Sequence, residues 1–247
     1  MILRIFYPYS LQRGRLITLD EANSHHIFGV LRLNVGDPLQ IFNGEGGAYS
    51  AILHSRQKKL AVLEIKEFLP IERESPLHIH LGQAISRGER MDFTVQKSVE
   101  LGINRITPLF TQRCGVSFNA SRAENRVQHW QKIAISASEQ CGRCRVPLVD
   151  SPQSLESFLA EATGLKFICS VFETPPLLPS LDKPVANVTL LIGPEGGFSP
   201  QEIHQAQLAG FYPLSLGPRI LRTETAAIVA LTLLQSRCGD IRSENFA

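Results

Sequence analysis

The sequence predicts an α/β protein in which a small β-barrel precedes a mostly parallel sheet flanked by helices. Three observations carry that reading. Residues 1–73 hold short, partly alternating apolar runs separated by turn residues, as half-buried strands require. After the charged, proline-bracketed segment Pro70-Ile71-Glu72-Arg73-Glu74-Ser75-Pro76 the pattern changes to strands alternating with longer helices, so a first domain spans 1–73 and a second 74–247. Within 189–231, two short apolar strands each run into a Gly/Pro turn that leads to a helix.

In the first domain the strands are Leu3–Tyr7, Arg15–Leu19, Pro38–Phe42, Ala48–Leu53 and Leu60–Glu67. One helix interrupts them, with Asp20 as N-cap and Ile27, Val30 and Leu31 as apolar positions. Asn43-Gly44-Glu45-Gly46-Gly47 is a hairpin connection whose glycines supply positive φ. Several short strands with a single helix indicate a small barrel. In the second domain Leu77–Ala84 is a strand, and Asp92–Leu101 is a helix with Phe93, Val95, Val99 and Leu101 inward, stopped by Gly102. Ile106–Phe110 is the next strand, and Ser121–Gln140 is a long helix carrying Val127, Trp130, Ile133, Ala134 and Ala137. Leu155–Ala162, Phe167–Phe172 and the buried parallel strand Val188–Ile192 follow. Leu214-Ser215-Leu216 leads into Gly217-Pro218, and a final helix capped by Thr223 bears Ile228, Val229, Leu231, Leu233 and Leu234.

Composition narrows the function classes. The 247 residues are 43% hydrophobic and 19% charged, ordinary for a globular protein, and no apolar run approaches a membrane span. The first residues lack the layout of a secretory signal, and five cysteines are an odd number for a disulfide framework, so a reduced, cytoplasmic setting is expected. Net charge is +2 but uneven: residues 76–150 carry 10 Lys/Arg against 6 Asp/Glu, whereas 151–247 carry 6 against 9. A basic zone beside a neutral one fits a polyanion such as RNA.

Most motifs reduce to packing. Cys141-Gly142-Arg143-Cys144 has redox or zinc spacing, but no second pair completes a metal site, and the end of a helix does not lower a thiol pKa. His25-His26 and His78-x-His80 lack nearby ligand partners, so no metal is expected. There is no Gly-x-Ser-x-Gly elbow and no dinucleotide fingerprint, which argues against a hydrolase and a nicotinamide oxidoreductase. Gly193-Pro194-Glu195-Gly196-Gly197 is not a P-loop either; it offers open backbone that a flat ligand can approach. Paired with Leu216-Gly217-Pro218 at the carboxyl ends of neighbouring strands, it makes an adenosyl-sized crevice. Arg219 and Arg222 flank Ile220-Leu221 at the start of the last helix, where the helix end adds roughly half a unit charge to theirs. The plain alternative is that Arg222 pairs with Glu224 or Glu195.

Gly-Pro-Glu-Gly-Gly-Phe-Ser from Gly193 and Leu-Gly-Pro-Arg-Ile-Leu-Arg-Thr-Glu-Thr-Ala from Leu216 closely resemble the ribosomal RNA small subunit methyltransferase E family. Arg90-Met91-Asp92-Phe93 with Gln96-Lys97 and Glu100-Leu101-Gly102, then Ile106-x-Pro108, is similar to a second signature of that family. Glu139-Gln140-x-Gly142-Arg143 with Pro147 is similar to a third, and His25-His26-Ile27, Val30-Leu31-Arg32 and Gly36-Asp37 resemble its N-terminal domain. The resemblance implies a PUA-like β-barrel followed by a SPOUT-type methyltransferase domain with a C-terminal trefoil knot, acting as a homodimer. It implies methylation of N3 of one uridine in 16S rRNA, on the small ribosomal subunit, with S-adenosyl-L-methionine as donor. Carried over by position, the donor pocket is Ile192, Gly193, Pro194, Glu195, Gly196, Gly197, Leu216, Gly217, Ile220, Leu221, Arg222, Thr225 and Ala226. Arg222 is the expected catalytic residue; Arg4, Arg32, Arg87, Arg90, Lys97 and Arg143 are expected RNA contacts. The family often has a small hydroxyl residue at the position of Cys141, which leaves that cysteine incidental. The rival reading is a non-catalytic RNA-binding protein with a vestigial pocket.

Overall fold

Alternating side chains build one half of the protein and unbroken apolar strands the other. The computed structural model describes residues 2–115, 120–170 and 185–241. It divides into two compact units, Met1–Glu74 with Ser138–Val146, and Ser75–Ala137 with Pro147–Ala247.

The first unit contains β1 (Arg4–Phe6), β2 (Leu16–Thr18), α1 (Glu21–His25), β3 (Pro38–Phe42), β4 (Ala48–Gln57) and β5 (Leu60–Leu69). Its five-stranded sheet runs β1-β3-β4-β5-β2, with β1 parallel to β3 and the other pairs antiparallel. Leu39, Ile41, Ala51, Leu53, Leu63 and Ile65 form one buried face, as a period of two dictates. Register shifts between Tyr49 and Ala51 and between Leu53 and Ser55 bend β4. The β4–β5 hairpin extends beyond the apolar runs, to Gln57 paired with Leu60, because backbone pairing continues where the side chains turn polar. Asp20 caps α1 by accepting the Asn23 N–H at 2.7 Å, and α1 runs straight into a π-turn at His26–Val30.

Ser138–Val146 completes this unit, and here two expected RNA contacts are corrected. Arg143 is only 4% exposed, and its guanidinium donates to Glu74, including a 3.0 Å bond from Nε to Oε2. Arg4 donates to the Arg143 carbonyl at 2.8 Å and to Gln40 Oε1 at 2.9 Å while lying over the Phe42 ring. These arginines hold the segment to the sheet rather than facing solvent. Cys144 is fully buried with Phe42 and Ala48, so the Cys-x-x-Cys pair serves packing on this side.

The second unit contains β6 (His78–Ala84), α2 (Arg90–Glu100), β7 (Arg105–Phe110), α3 (Ala120–Cys141, its last turn counted with the first unit), β8 (Leu148–Val149) and β9 (Gln153–Ser154). It continues with α4 (Leu155–Glu161), β10 (Leu165–Cys169), β11 (Asn187–Ile192), α5 (Pro200–Leu208), β12 (Tyr212–Leu214) and α6 (Thr223–Cys238). The sheet order is β12-β10-β11-β6-β7-β8, with β9 also on β7, and every pairing is parallel. Val188–Ile192 and Leu81–Ala84 are buried without interruption, as central strands covered on both faces must be. Gly82 is required in β6, since a Cβ there would lie 2.5 Å from Phe158 Cζ. The strand expected to reach Phe172 ends at Cys169; Val171 and Phe172 lie outside the described residues.

One local expectation changes. The α2 helix begins two residues earlier than Asp92, and its buried stripe is Met91, Val95 and Val99 with Thr94 and Ser98. Phe93 is consequently 44% exposed, with the Lys97 ammonium over its ring. His80 is half-buried on β6. It shares a hydrogen bond of 2.7 Å with Thr107 Oγ1, which in turn donates to Asp150. Burial pushes its imidazole down to about 4, with the Arg105 guanidinium adding to this and the Asp150 carboxylate opposing it. Unfolding frees the ring to protonate near the ordinary value of 6.5, so the unfolded chain binds more protons between pH 6.5 and 4. Stability present above pH 6.5 is therefore lost as pH falls toward 4. Thermal melts across that window should show the loss, and His80→Gln should flatten it; an unchanged slope in the variant would assign the loss to other groups.

Candidate active site

The cavity opens at the carboxyl ends of β10, β11 and β12, where an open parallel sheet offers loops to a ligand. After Ile192 the chain turns through Gly193–Gly197, closed by the Gly197 N–H on the Pro194 carbonyl at 2.9 Å. Gly197 sits at φ +66°, and a Cβ on Gly193 would press to 3.1 Å from the Phe198 ring. Ser199 and Glu202 then form a capping box that starts α5. The second wall is Ser215–Arg222, with Gly217 at φ +97°. The enclosed volume is about 710 Å³, within the range of small-molecule sites.

One residue ties the two walls together. Thr223 was expected to cap α6, but Arg222 occupies that position and no side chain caps the helix. Thr223 is the first helical residue. Its hydroxyl donates to the Gly193 carbonyl at 2.7 Å and accepts from Gln83 Nε2 at 2.9 Å. The end of β6, the glycine loop and the start of α6 thus meet at one buried oxygen.

Flanking loops brace the glycine loop from outside. Arg113 Nη1 donates to the Gly196 carbonyl at 3.1 Å, and Glu202 Oε1 accepts the Gln112 N–H at 2.7 Å. Glu195 accepts the Arg87 N–H at 3.1 Å and Arg90 Nη1 at 2.7 Å. Desolvation acts to raise the Glu195 pKa, but the backbone N–H bonds and Arg90 outweigh it and hold the carboxyl below the usual range. Glu195 therefore belongs to Arg90, not to Arg222. The other carboxylate of the lining, Glu224, has an oxygen that is buried without a hydrogen-bond partner. Arg222 is exposed at the rim, and its side chain makes no hydrogen bond or ion pair to a described residue.

Of the thirteen residues expected to hold the donor, all but Thr225 line this cavity; Thr225 is exposed and turned outside it. Arg90, expected as an RNA contact, lines it as well, and Arg87 is exposed beside it. Lys97 lies farther along α2, paired with Glu100 at 2.8 Å, and Arg32 is exposed in the first unit. Residues not foreseen are Arg113, Ser170, Phe198 and Thr223. Arg113 and Ser170 come from loops after other strands, which no local motif marks. Thr223 stood in the motif, but its role depends on a contact 30 residues away.

The fold and this cavity define an RNA methyltransferase. A family model described as RNA methyltransferase domain matches residues 73–235, and one described as RNA methyltransferase PUA domain matches 19–66. The chain belongs to the ribosomal RNA small subunit methyltransferase E family. It is 41% identical to the member from Buchnera aphidicola subsp. Schizaphis graminum, over 97% of this chain and 98% of that one. A methyltransferase of Legionella pneumophila, solved with bound cofactor S-adenosylmethionine, is 43% identical with a TM-score of 0.91, covering 98% of this chain and all of that one. The ribosomal RNA small subunit methyltransferase E of Neisseria gonorrhoeae, bound to S-adenosylmethionine, gives 38% and 0.91 over 98% of this chain and 100% of its own.

Proposed function

We propose that this protein transfers the methyl group of S-adenosyl-L-methionine to N3 of a uridine in 16S rRNA, acting on the small ribosomal subunit. The observation that carries the reading is the cavity between the two glycine turns, with Arg222 at its mouth and an orphaned carboxylate oxygen in its wall. The residues fit the donor. Gly197 and Gly217 leave open space where a side chain would stand, and the buried Glu224 oxygen needs a hydrogen-bond donor, which the amino and hydroxyl groups of the nucleoside supply. When bound, S-adenosylmethionine supplies a methyl group made electrophilic by its sulfonium.

Everything else falls to the chain. Uracil N3 carries an imide proton, and its lone pair is spread into two carbonyls, so the neutral base attacks poorly. Arg222, beside the positive end of α6 and with no side-chain partner among the described residues, offsets the negative charge that gathers on the ring as the N3 proton passes to solvent. Glu195 is committed to Arg90 and Arg87, so it fixes the loop rather than taking the proton. Arg87, Arg90 and Lys97 supply positive charge for the RNA backbone around the mouth. The working form we propose is a cytoplasmic homodimer whose C-terminal segment forms a trefoil knot. Ile220, apolar and 84% exposed on the rim, supports a second protomer covering that side. Among the described residues no helix is long and apolar enough to cross a membrane.

The test is methyl transfer from labelled donor to small subunits lacking the modification, followed by digestion and mapping of the product. One N3-methyluridine per subunit is expected. Transfer to another base, or no transfer with intact donor binding, would overturn the reading.

A further inference from the structure

Two non-glycine residues among those described have positive φ, Arg32 at 55° and Lys58 at 57°. Each is a cation, and they stand on one surface of the first unit. Arg32 follows the π-turn His26–Val30, whose first two carbonyls are taken up when Leu31 N–H reaches His26 and Leu33 N–H reaches Ile27. Lys58 opens the two-residue turn between β4 and β5, a position that favours glycine or asparagine. The two segments meet: the Arg56 guanidinium lies 4.7 Å over the Phe28 ring and donates to the Lys58 carbonyl, while Gly36 N–H bonds the Leu53 carbonyl on β4.

We propose that this surface, formed by residues 28–35 and 56–59, grips the phosphate backbone of the folded ribosomal RNA that carries the target base. The proposal rests on RNA being the substrate and names the part of the barrel unit that holds it. Arg32, Arg56, Lys58 and Lys59 are exposed, and none has an acidic partner among the described residues. A surface that only needed solvation would intersperse acids. Beside the cations, Val30 and Val35 stand 60% and 63% exposed, available to sugar faces once the phosphates are seated. Arg32 and Lys58 are held in a left-handed conformation that strains a non-glycine backbone, a strain that clusters where a site needs a fixed side-chain direction. The π-turn points the same way, since such turns concentrate at functional sites. Charge complementarity selects a polyanion as the occupant: two segments in contact carry four exposed cations with no acidic partner among the described residues, and each neutralised phosphate releases counterions.

The experiment measures binding of a fluorescein-labelled 16S rRNA fragment by anisotropy at several salt concentrations, alongside methyl transfer to subunits. Lys58→Ala with Lys59→Ala should lower the slope of log affinity against log salt by about 2 and raise KM for subunits, with kcat and donor affinity unchanged. Arg32→Gly and Lys58→Gly give the second arm. Relieved backbone strain should keep Tm at or above that of the parent while RNA affinity falls. Unchanged RNA affinity and salt slope in the double variant would overturn the proposal. So would a loss confined to assembled subunits and insensitive to salt, which would assign the surface to a ribosomal protein. If the parent transferred no methyl group yet the salt slope still fell, the reaction would be wrong and this surface would stand.

Discussion

Arg222→Ala should lower kcat by about 10²–10³, as removal of a preorganised charge-stabilising donor does, with donor affinity and thermal stability retained. Stability is spared because only the backbone of Arg222 works for the helix: its carbonyl accepts the Ala226 N–H at 2.8 Å, and its side chain makes no cap. An exposed side chain with no partner can be removed at a cost within about 0.5 kcal/mol. Donor binding is spared because the glycine turns, the apolar side chains and Glu224 all stay in the cavity wall. Arg222→Lys separates charge from geometry; it keeps the positive charge but loses the planar fork, so its kcat should fall between the other two. The measurement is single-turnover transfer at saturating donor and subunits. Turnover within a few-fold of the parent in the alanine variant would remove Arg222 from the chemistry.

How far the sequence carried depends on the range of each interaction. Parallel strands were legible because Val188–Ile192 is apolar at every position but Thr189, and Asp20 because its partner, Asn23, is three residues away. The glycine turns were legible because open backbone needs glycine whatever the fold does around it. Arg143 shows the limit. A basic residue in a basic third of the chain reads as a phosphate contact until Glu74, 69 positions distant, is found against it. Phe93 fails for a smaller reason: it lies two positions, about 200° around the helix, from Val95, so one face cannot bury both. The same holds for Glu195, whose tie to Arg90 spans 105 positions. Local chemistry identified which residues surround the cavity, while long-range pairing decided which of them remain available to a ligand.

The second large effect follows from that long-range pairing at Thr223. Thr223→Val keeps the shape but removes a donor and an acceptor at a site only 5% exposed. The Gly193 carbonyl loses its 2.7 Å bond, and Gln83 Nε2 keeps only the Ala84 carbonyl at 3.0 Å. Gln83 is fully buried and its Oε1 is already without a partner, so nothing nearby replaces the lost hydroxyl. Each buried polar group left unpaired costs about 1–3 kcal/mol, and each kcal/mol lowers Tm by about 2–4 °C for a unit of this size. The Gly193–Gly197 loop is also released from α6, so donor affinity should fall along with stability. Thr223→Ser should restore most of both, because it returns the hydroxyl and gives up only a methyl group. The measurements are thermal melts and calorimetric titration with S-adenosylmethionine on the three proteins. If the valine variant melts and binds like the parent, the link between the two walls is incidental, and the cavity is shaped by the glycine turns alone.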